Sequence, residues 1–190
     1  MRVPRMSSTD DYSQFVLFEL HQHVTTRFCL IVQADGYVVN PRSWSNRFLD
    51  YDYVGAPWPD GDRAFRDVGG QSHRVGNGGF SLRSRRLMIR AAQFTRAMDP
   101  SNRGKEIRHH YEDIEICVNH RVQLELEGFR FAPVDLAAEF ATERTVEETV
   151  QFPFGFHGVH PHRRGWSKTD AIWGWNFIPQ VGPRRSSHEH

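Results

Sequence analysis

Val75 to Ser84 reads VGNGGFSLRS, and no other stretch restricts the fold as strongly. Three glycines and an asparagine crowd one bend that runs straight into a strand-like segment and then a helix start. A chain uses backbone-permissive residues at this density where it must turn tightly and bring its main chain close to something else. Asn77, Gly78 and Gly79 therefore mark a bend, and Phe80 to Arg83 leave it as a strand. Ser84 then caps a helix whose Leu87, Met88, Ala91 and Met98 share one face.

The surroundings of the bend give the fold class. Ser7, Ser8 and Thr9 followed by two aspartates start a helix over Asp10 to about Val24, with Tyr12, Phe15, Val16 and Leu20 at three-and-four spacing. Phe28 to Val32 is a continuous apolar run, which predicts a buried strand. It delivers Gln33, Ala34, Asp35 and Gly36 at its carboxyl end, where open α/β sheets bind ligands. Asp50 to Pro59 (DYDYVGAPWP) predicts a short strand around Tyr53 and Val54, closed by Gly55, Pro57 and Pro59. Asp60 to Arg74 is polar and glycine-rich, a loop able to order over a ligand, and a second loop covers Asp99 to His110. A helix is expected from about Glu112 to Glu127, with Ile114, Cys117, Val118 and Leu124 inward and Gly128 as its stop. Phe129 to Ala132 predicts a strand and Asp135 to Phe140 a short helix. Strands alternating with helices at these intervals indicate an α/β layered domain over residues 1–160, followed by an irregular, partly disordered tail over 161–190.

Composition removes several function classes. Lys and Arg number 24 against 23 Asp and Glu, for a net charge of +1, so no overall field attracts nucleic acid or an anionic membrane. The two cysteines, Cys29 and Cys117, form no disulfide framework and suit a reducing compartment. No stretch approaches the ~18 apolar residues of a membrane span, and Met1 to Asp11 lacks the apolar centre of a signal peptide. The expectation is a soluble, cytoplasmic protein.

Several residues carry chemical potential. Asp35, at a strand end before a glycine, suits a divalent cation bridging phosphate oxygens, or a turn bonding its own backbone. Glu112 and Asp113 open a helix, where the dipole stabilises negative charge; either both cap, or one projects into a cleft as general base. His109 and His110 stand beside them. His157 lies among aromatics and glycines in FPFGFHG, as a buried hydrogen-bonded residue or as a metal ligand, with His160 and His162 extending a metal-like spacing. His21 and His23, two apart on a helix, point to different faces. The bend lacks the lysine of a P-loop and the third glycine of a dinucleotide fingerprint, and no nucleophile elbow or paired-cysteine zinc motif occurs. Aromatics interleaved with Gly and Pro do not make a nucleic-acid stacking platform. Tyr51, Trp58, Asn77 and Arg83 do supply the flat faces and polar groups that sugars use.

Taken in order, Gln33-Ala34-Asp35-Gly36, DYDYVGAPWP, VGNGGFSLRS, Glu112-Asp113-Ile114 and PFGFHG resemble an uncharacterised glycosyltransferase-like family of the GT-A type, over about Val3 to Gly158. The resemblance implies a GT-A-like, Rossmann-related mixed sheet flanked by helices. It further implies transfer from a nucleotide-sugar donor to a glycan or other hydroxyl acceptor with a divalent metal, Mn or Mg. Asp35 and His157 would hold the metal, with Gln33 and Gly36 nearby. Asn77, Gly78, Gly79 and Phe80 would wall the acceptor region, joined by Tyr51, Trp58 and Arg83. Asp113 would be the base, with Glu112 second. Ala34 stands where the family usually has tryptophan, and the family's amino-terminal nucleotide-binding segment is not matched, so the resemblance implies an amino-terminally truncated chain. The alternatives are a catalytically inactive binding module and a metal-dependent phosphoesterase using Asp35, Asp113 and His157.

Overall fold

A computed structural model describes residues 6–94 and 111–158. Met98, the Asp99 to His110 loop with His109 and His110, His160, His162 and the tail over 161–190 lie outside the described residues.

The bend at Asn77 organises the sheet. Strands β1 (Phe28–Val32), β3 (Tyr53–Gly55) and β4 (Phe80–Ser84) form a three-stranded antiparallel sheet in the order β1-β4-β3. Val32 lies opposite Phe80 and Phe28 opposite Ser84, while Tyr53 pairs with Arg83 and Gly55 with Ser81. Because side chains alternate along a strand, the two faces of this sheet build two cores. Tyr53 joins Leu17, Trp58, Leu87, Cys117 and Leu124 on one face. Val54, Phe80 and Leu82 join Phe48, Leu136, Phe140 and Phe154 on the other.

The first face is covered by helices. Thr9–Gln14, Phe15–Glu19 and Leu20–His23 run as one segment, α1, whose middle stretch is π-helical. Ser8 Oγ accepts the Asp11 N–H at 3.0 Å and caps it. Helix α2 (Arg85–Phe94) begins where Ser84 Oγ accepts the Leu87 N–H at 3.2 Å, and Leu87, Met88 and Ala91 are buried. Helix α3 (Glu112–Ile114) continues as a π turn over Glu115–Asn119, and α4 (Arg121–Leu126) ends at Gly128, which takes a φ of +83°. The second face carries α5 (Val134–Phe140) and a second sheet of β2 (Gly36–Val38), β5 (Ala141–Thr142) and β6 (Gly155–His157). Its order is β2-β6-β5, with Gly36 opposite His157 and the β5–β6 pair parallel. The protein is a mixed α/β fold with two small sheets. Among the described residues no helix is long and apolar enough to cross a membrane.

Four expectations need correction. First, β1 is a half-buried edge strand, with Leu30 37% and Val32 46% exposed. Second, the main sheet is antiparallel, so the carboxyl end of β1 meets the amino end of β4 and not a row of parallel strand ends. Third, Phe129 to Ala132 is no strand; Phe131 makes one parallel bridge to Tyr53, and the proline at 133 hands the chain to α5. Fourth, the Asp60 to Arg74 loop is anchored to the core. Phe65 stacks on Trp58 at 4.2 Å, and the buried His73 ring contacts Asp67 Oδ2 at 2.9 Å.

Candidate functional site

The polar residues collect at one end of the central sheet. The carboxyl end of β1 brings Gln33 and Asp35, the bend before β4 brings residues 76 to 79, and the start of α3 brings Glu112 and Asp113. The ends of β5 and β6 add Glu143 and His157. The Gln33 N–H donates to the Gly79 carbonyl at 2.8 Å, and the Gly158 N–H donates to the Asp35 carbonyl at 3.0 Å. Backbone pairing thus fixes the spacing of the side chains.

The bend works through close approach. A Cβ on Gly79 would stand 2.0 Å from His157 Nε2, one on Gly78 1.9 Å from Glu112 Oε1, and one on Gly76 1.8 Å from the Trp58 ring. Asn77 adopts a φ of +57°, and its Oδ1 accepts the Gly79 N–H at 3.2 Å. Asparagine tolerates this left-handed conformation better than other side-chain-bearing residues.

His157 sits between acids. Its Nε2 lies 3.0 Å from Gln33 Oε1 and 3.2 Å from Asp35 Oδ1, and its Nδ1 lies 3.7 Å from Glu143 Oε1. Burial alone would lower the affinity of the ring for a proton. The carboxylates of Glu143, Asp35 and Asp113 outweigh it and raise the imidazole above its ordinary range. Asp35 and His157, expected to act together, are side by side.

Asp113 and Glu112 occupy different environments. Asp113 Oδ2 accepts the Gly78 N–H at 2.8 Å and Oδ1 accepts the Ile114 N–H at 2.8 Å, while the residue keeps partial surface access. Burial first, and then the neighbouring Glu112 charge, push its carboxyl up to about 6 against the Gly78 N–H and the Arg83 cation. Glu112 is buried and turned inward, its Oε1 accepting from Arg83 at 2.9 Å. Arg83 is fully buried, donates through Nε to Ser81 Oγ at 3.0 Å and lies over the Tyr53 ring. This ion pair holds the start of α3 on the sheet and engages the Glu112 carboxylate with Arg83.

Among the described residues, the buried Tyr12 Oη, Asn77 Nδ2 and Arg83 Nη1 have no hydrogen-bond partner, and His157 Nδ1 has only the Glu143 carboxylate at 3.7 Å. Orphaned buried polar atoms are rare in native proteins because each carries a desolvation cost.

Three expected site residues are elsewhere. Trp58 is buried with Phe65 on one ring face and Gly76 on its edge, so it presents no free stacking face. Phe80 is buried among Phe140 and Phe154 in the second core. Tyr51 precedes β3 at the opposite end of the sheet, with Arg130 over its ring at 4.8 Å. Gly36 is present, but as a backbone element pairing with His157.

With this geometry in place, the chain can be set beside known families. Residues 2–157 match the family described as a protein of unknown function, DUF5672. The chain belongs to the DUF5672 family. No curated protein matches it. In this DUF5672 chain the sequence reading missed Tyr12 and Glu143. Tyr12 reads as one more apolar helix position, and its phenol is raised by burial and by the Glu112 charge. Glu143 sits in a run of ordinary polar residues. No local pattern singles out either one, because both join the cluster only through tertiary contact.

Proposed function

We propose that this DUF5672 protein is a GT-A-like glycosyltransferase, moving a sugar from a nucleotide-sugar donor to a carbohydrate or other hydroxyl acceptor. Its two unlinked thiols, Cys29 and Cys117, suit a reducing, cytoplasmic setting. The observation that carries the reading is Asp113: a carboxylate anchored by two backbone N–H groups, raised toward neutrality and still accessible. A general base works best when its proton affinity lies near the working pH. Asp113 takes the proton from the acceptor hydroxyl as its oxygen bonds to the anomeric carbon, and the bond to the diphosphate breaks with its electron pair leaving on phosphate. Tyr12 Oη and Asn77 Nδ2 bind sugar or acceptor hydroxyls, and Gly78 and Gly79 leave the room that Glu112 and His157 occupy beside the bend.

The residues present fit a divalent metal. Metal bonds of about 2.1 Å put adjacent octahedral ligands about 3 Å apart, close to the spacings of His157 Nε2 from Asp35 and Gln33. Among the described residues no group of three His, Cys, Asp or Glu side chains forms a metal cluster; the side chains that would hold a metal are Asp35, His157 and the Gln33 amide. A bound metal there would offset the charge of the departing diphosphate. His157 must lose its Nε2 proton to serve, and its raised proton affinity makes metal binding weaken as pH falls.

The test is release of nucleoside diphosphate from a panel of nucleotide sugars with Mn²⁺. Asp113→Asn is expected to lower turnover by about 10²–10⁴-fold, and Asp35→Ala to abolish the metal dependence. No turnover together with no thermal shift from any donor plus Mn²⁺ would overturn the reading in favour of an inactive module.

A further inference from the structure

We propose that a cavity at the far end of the central sheet, away from Asp113, is a binding site for small phosphomonoesters. The cavity has a volume of about 340 Å³, and four arginines, Arg27, Arg85, Arg86 and Arg130, line it with Tyr51 and Asp52 among its walls. It lies where β1, β3 and β4 end at Phe28, Tyr53 and Ser84, the opposite pole from Gln33 and Gly79.

The charge balance inside it is uneven. Asp52 is buried and saturated: it accepts from Arg86 Nε at 2.6 Å and from a second Arg86 nitrogen, from Ser84 Oγ at 2.5 Å and from the Arg130 N–H at 2.9 Å. Burial would raise its proton affinity, and the Arg86 and Ser84 bonds outweigh that and lower it. Asp52 therefore stays ionised and cancels Arg86. Among the described residues no carboxylate forms an ion pair with Arg27, Arg85 or Arg130. Asp50 at the cavity wall is the one other acid lining it, alongside Arg27, Arg85 and Arg130.

The arginines are also held in place. Arg27 lies over the Phe28 ring at 5.2 Å, Arg130 over Tyr51 at 4.8 Å, and Arg85 Nε donates to the Val24 carbonyl at 2.6 Å. A guanidinium resting on an aromatic ring loses less freedom when it binds, and its planar fork matches two oxygens of a phosphate. The cavity's size favours a dianion on a small molecule.

Isothermal titration of the full chain at low salt, with glucose 6-phosphate, inorganic phosphate and glucose, tests this directly. Glucose 6-phosphate and phosphate are expected to bind, glucose not, and affinity is expected to fall with added NaCl. The double variant Arg27→Gln/Arg130→Gln is expected to weaken glucose 6-phosphate binding at least tenfold, whereas Arg42→Gln, outside the cavity, leaves it unchanged. Absence of binding, equal binding of glucose, or an unweakened double variant would each overturn the proposal. If the double variant is unfolded by circular dichroism, nitrogen-15 spectra of the arginine side chains in the unsubstituted protein decide: shifts on adding glucose 6-phosphate sustain the site, and unmoved resonances refute it. Asp113→Asn should bind glucose 6-phosphate as the parent does, which separates this site from the transferase reading.

Discussion

At the scale of single residues, adjacent acids are divided by where their side chains point. Glu112 faces a fully buried guanidinium, and replacing it leaves that cation without a counter-charge in a low-dielectric interior. Glu112→Gln is expected to cost about 3–5 kcal/mol of stability, read as a lower urea midpoint. Asp113 keeps partial surface access and behaves differently with pH. Its folded-state proton affinity is raised to about 6, above the unfolded value of about 3.9. Its ionisation therefore works against the fold: the folded protein is favoured at low pH, and the advantage is lost as pH climbs from about 4 through 6. Melting curves of Asp113→Asn and the parent should thus diverge in favour of the variant between pH 4 and 7, by on the order of a few degrees. A constant difference across that range would contradict the raised carboxyl. The sequence marked this pair as acids at a helix start, and it could not say which one turns inward. That choice depends on Arg83, 29 residues away along the chain.

At the scale of elements, the glycine bend is the part the sequence declared most clearly, because glycine spacing states a backbone requirement directly. The strands at Tyr53 and Phe80 and the helices after Ser84 and Glu112 were legible for a related reason: caps, stops and periodic apolar positions are local. Strands β2, β5 and β6 were not, since two or three residues are too few to show alternation. Trp58 misled for a physical reason as well, as an aromatic beside glycine and proline reads equally as a sugar platform or as a core plug. A graded series follows from the spaces at the glycines. Gly128→Ala meets open space and only the positive φ, and should cost about 1–2 kcal/mol. Gly79→Ala carries no positive-φ cost but must displace the His157 ring, an overpacking of about 1–3 kcal/mol. Gly55→Ala sets a methyl 1.8 Å from the Gly76 carbonyl oxygen, which is backbone and cannot rotate away, so this variant should be the least stable of the three in thermal melts.

At the scale of the whole molecule, the fold is two sheets joined through Phe80, Phe140 and Phe154, with Arg74 and Glu148 bracing the Asp60 to Arg74 loop by paired contacts at 2.7 and 2.8 Å. β6 is the middle strand of its sheet, so its loss strands both neighbours. A chain ending at Val150 is expected to lose cooperative unfolding, measured by circular dichroism against temperature. A sharp transition retained near the parent's midpoint would show that the second sheet is dispensable. The convergence of Asp35 with His157 was anticipated only through the family resemblance. The company of Tyr12 and Glu143 was not, since it arises only when α1 and β5 close over the same end.

The register of β6 has a consequence during synthesis. Gly36 waits for His157, a partner more than a hundred residues downstream, and contacts that distant form late. On the ribosome, β1 and β4 can pair and the helices can pack while the imidazole is still in the exit tunnel. A nascent chain of this protein therefore presents Asp35 and Asp113 without the histidine until β6 emerges.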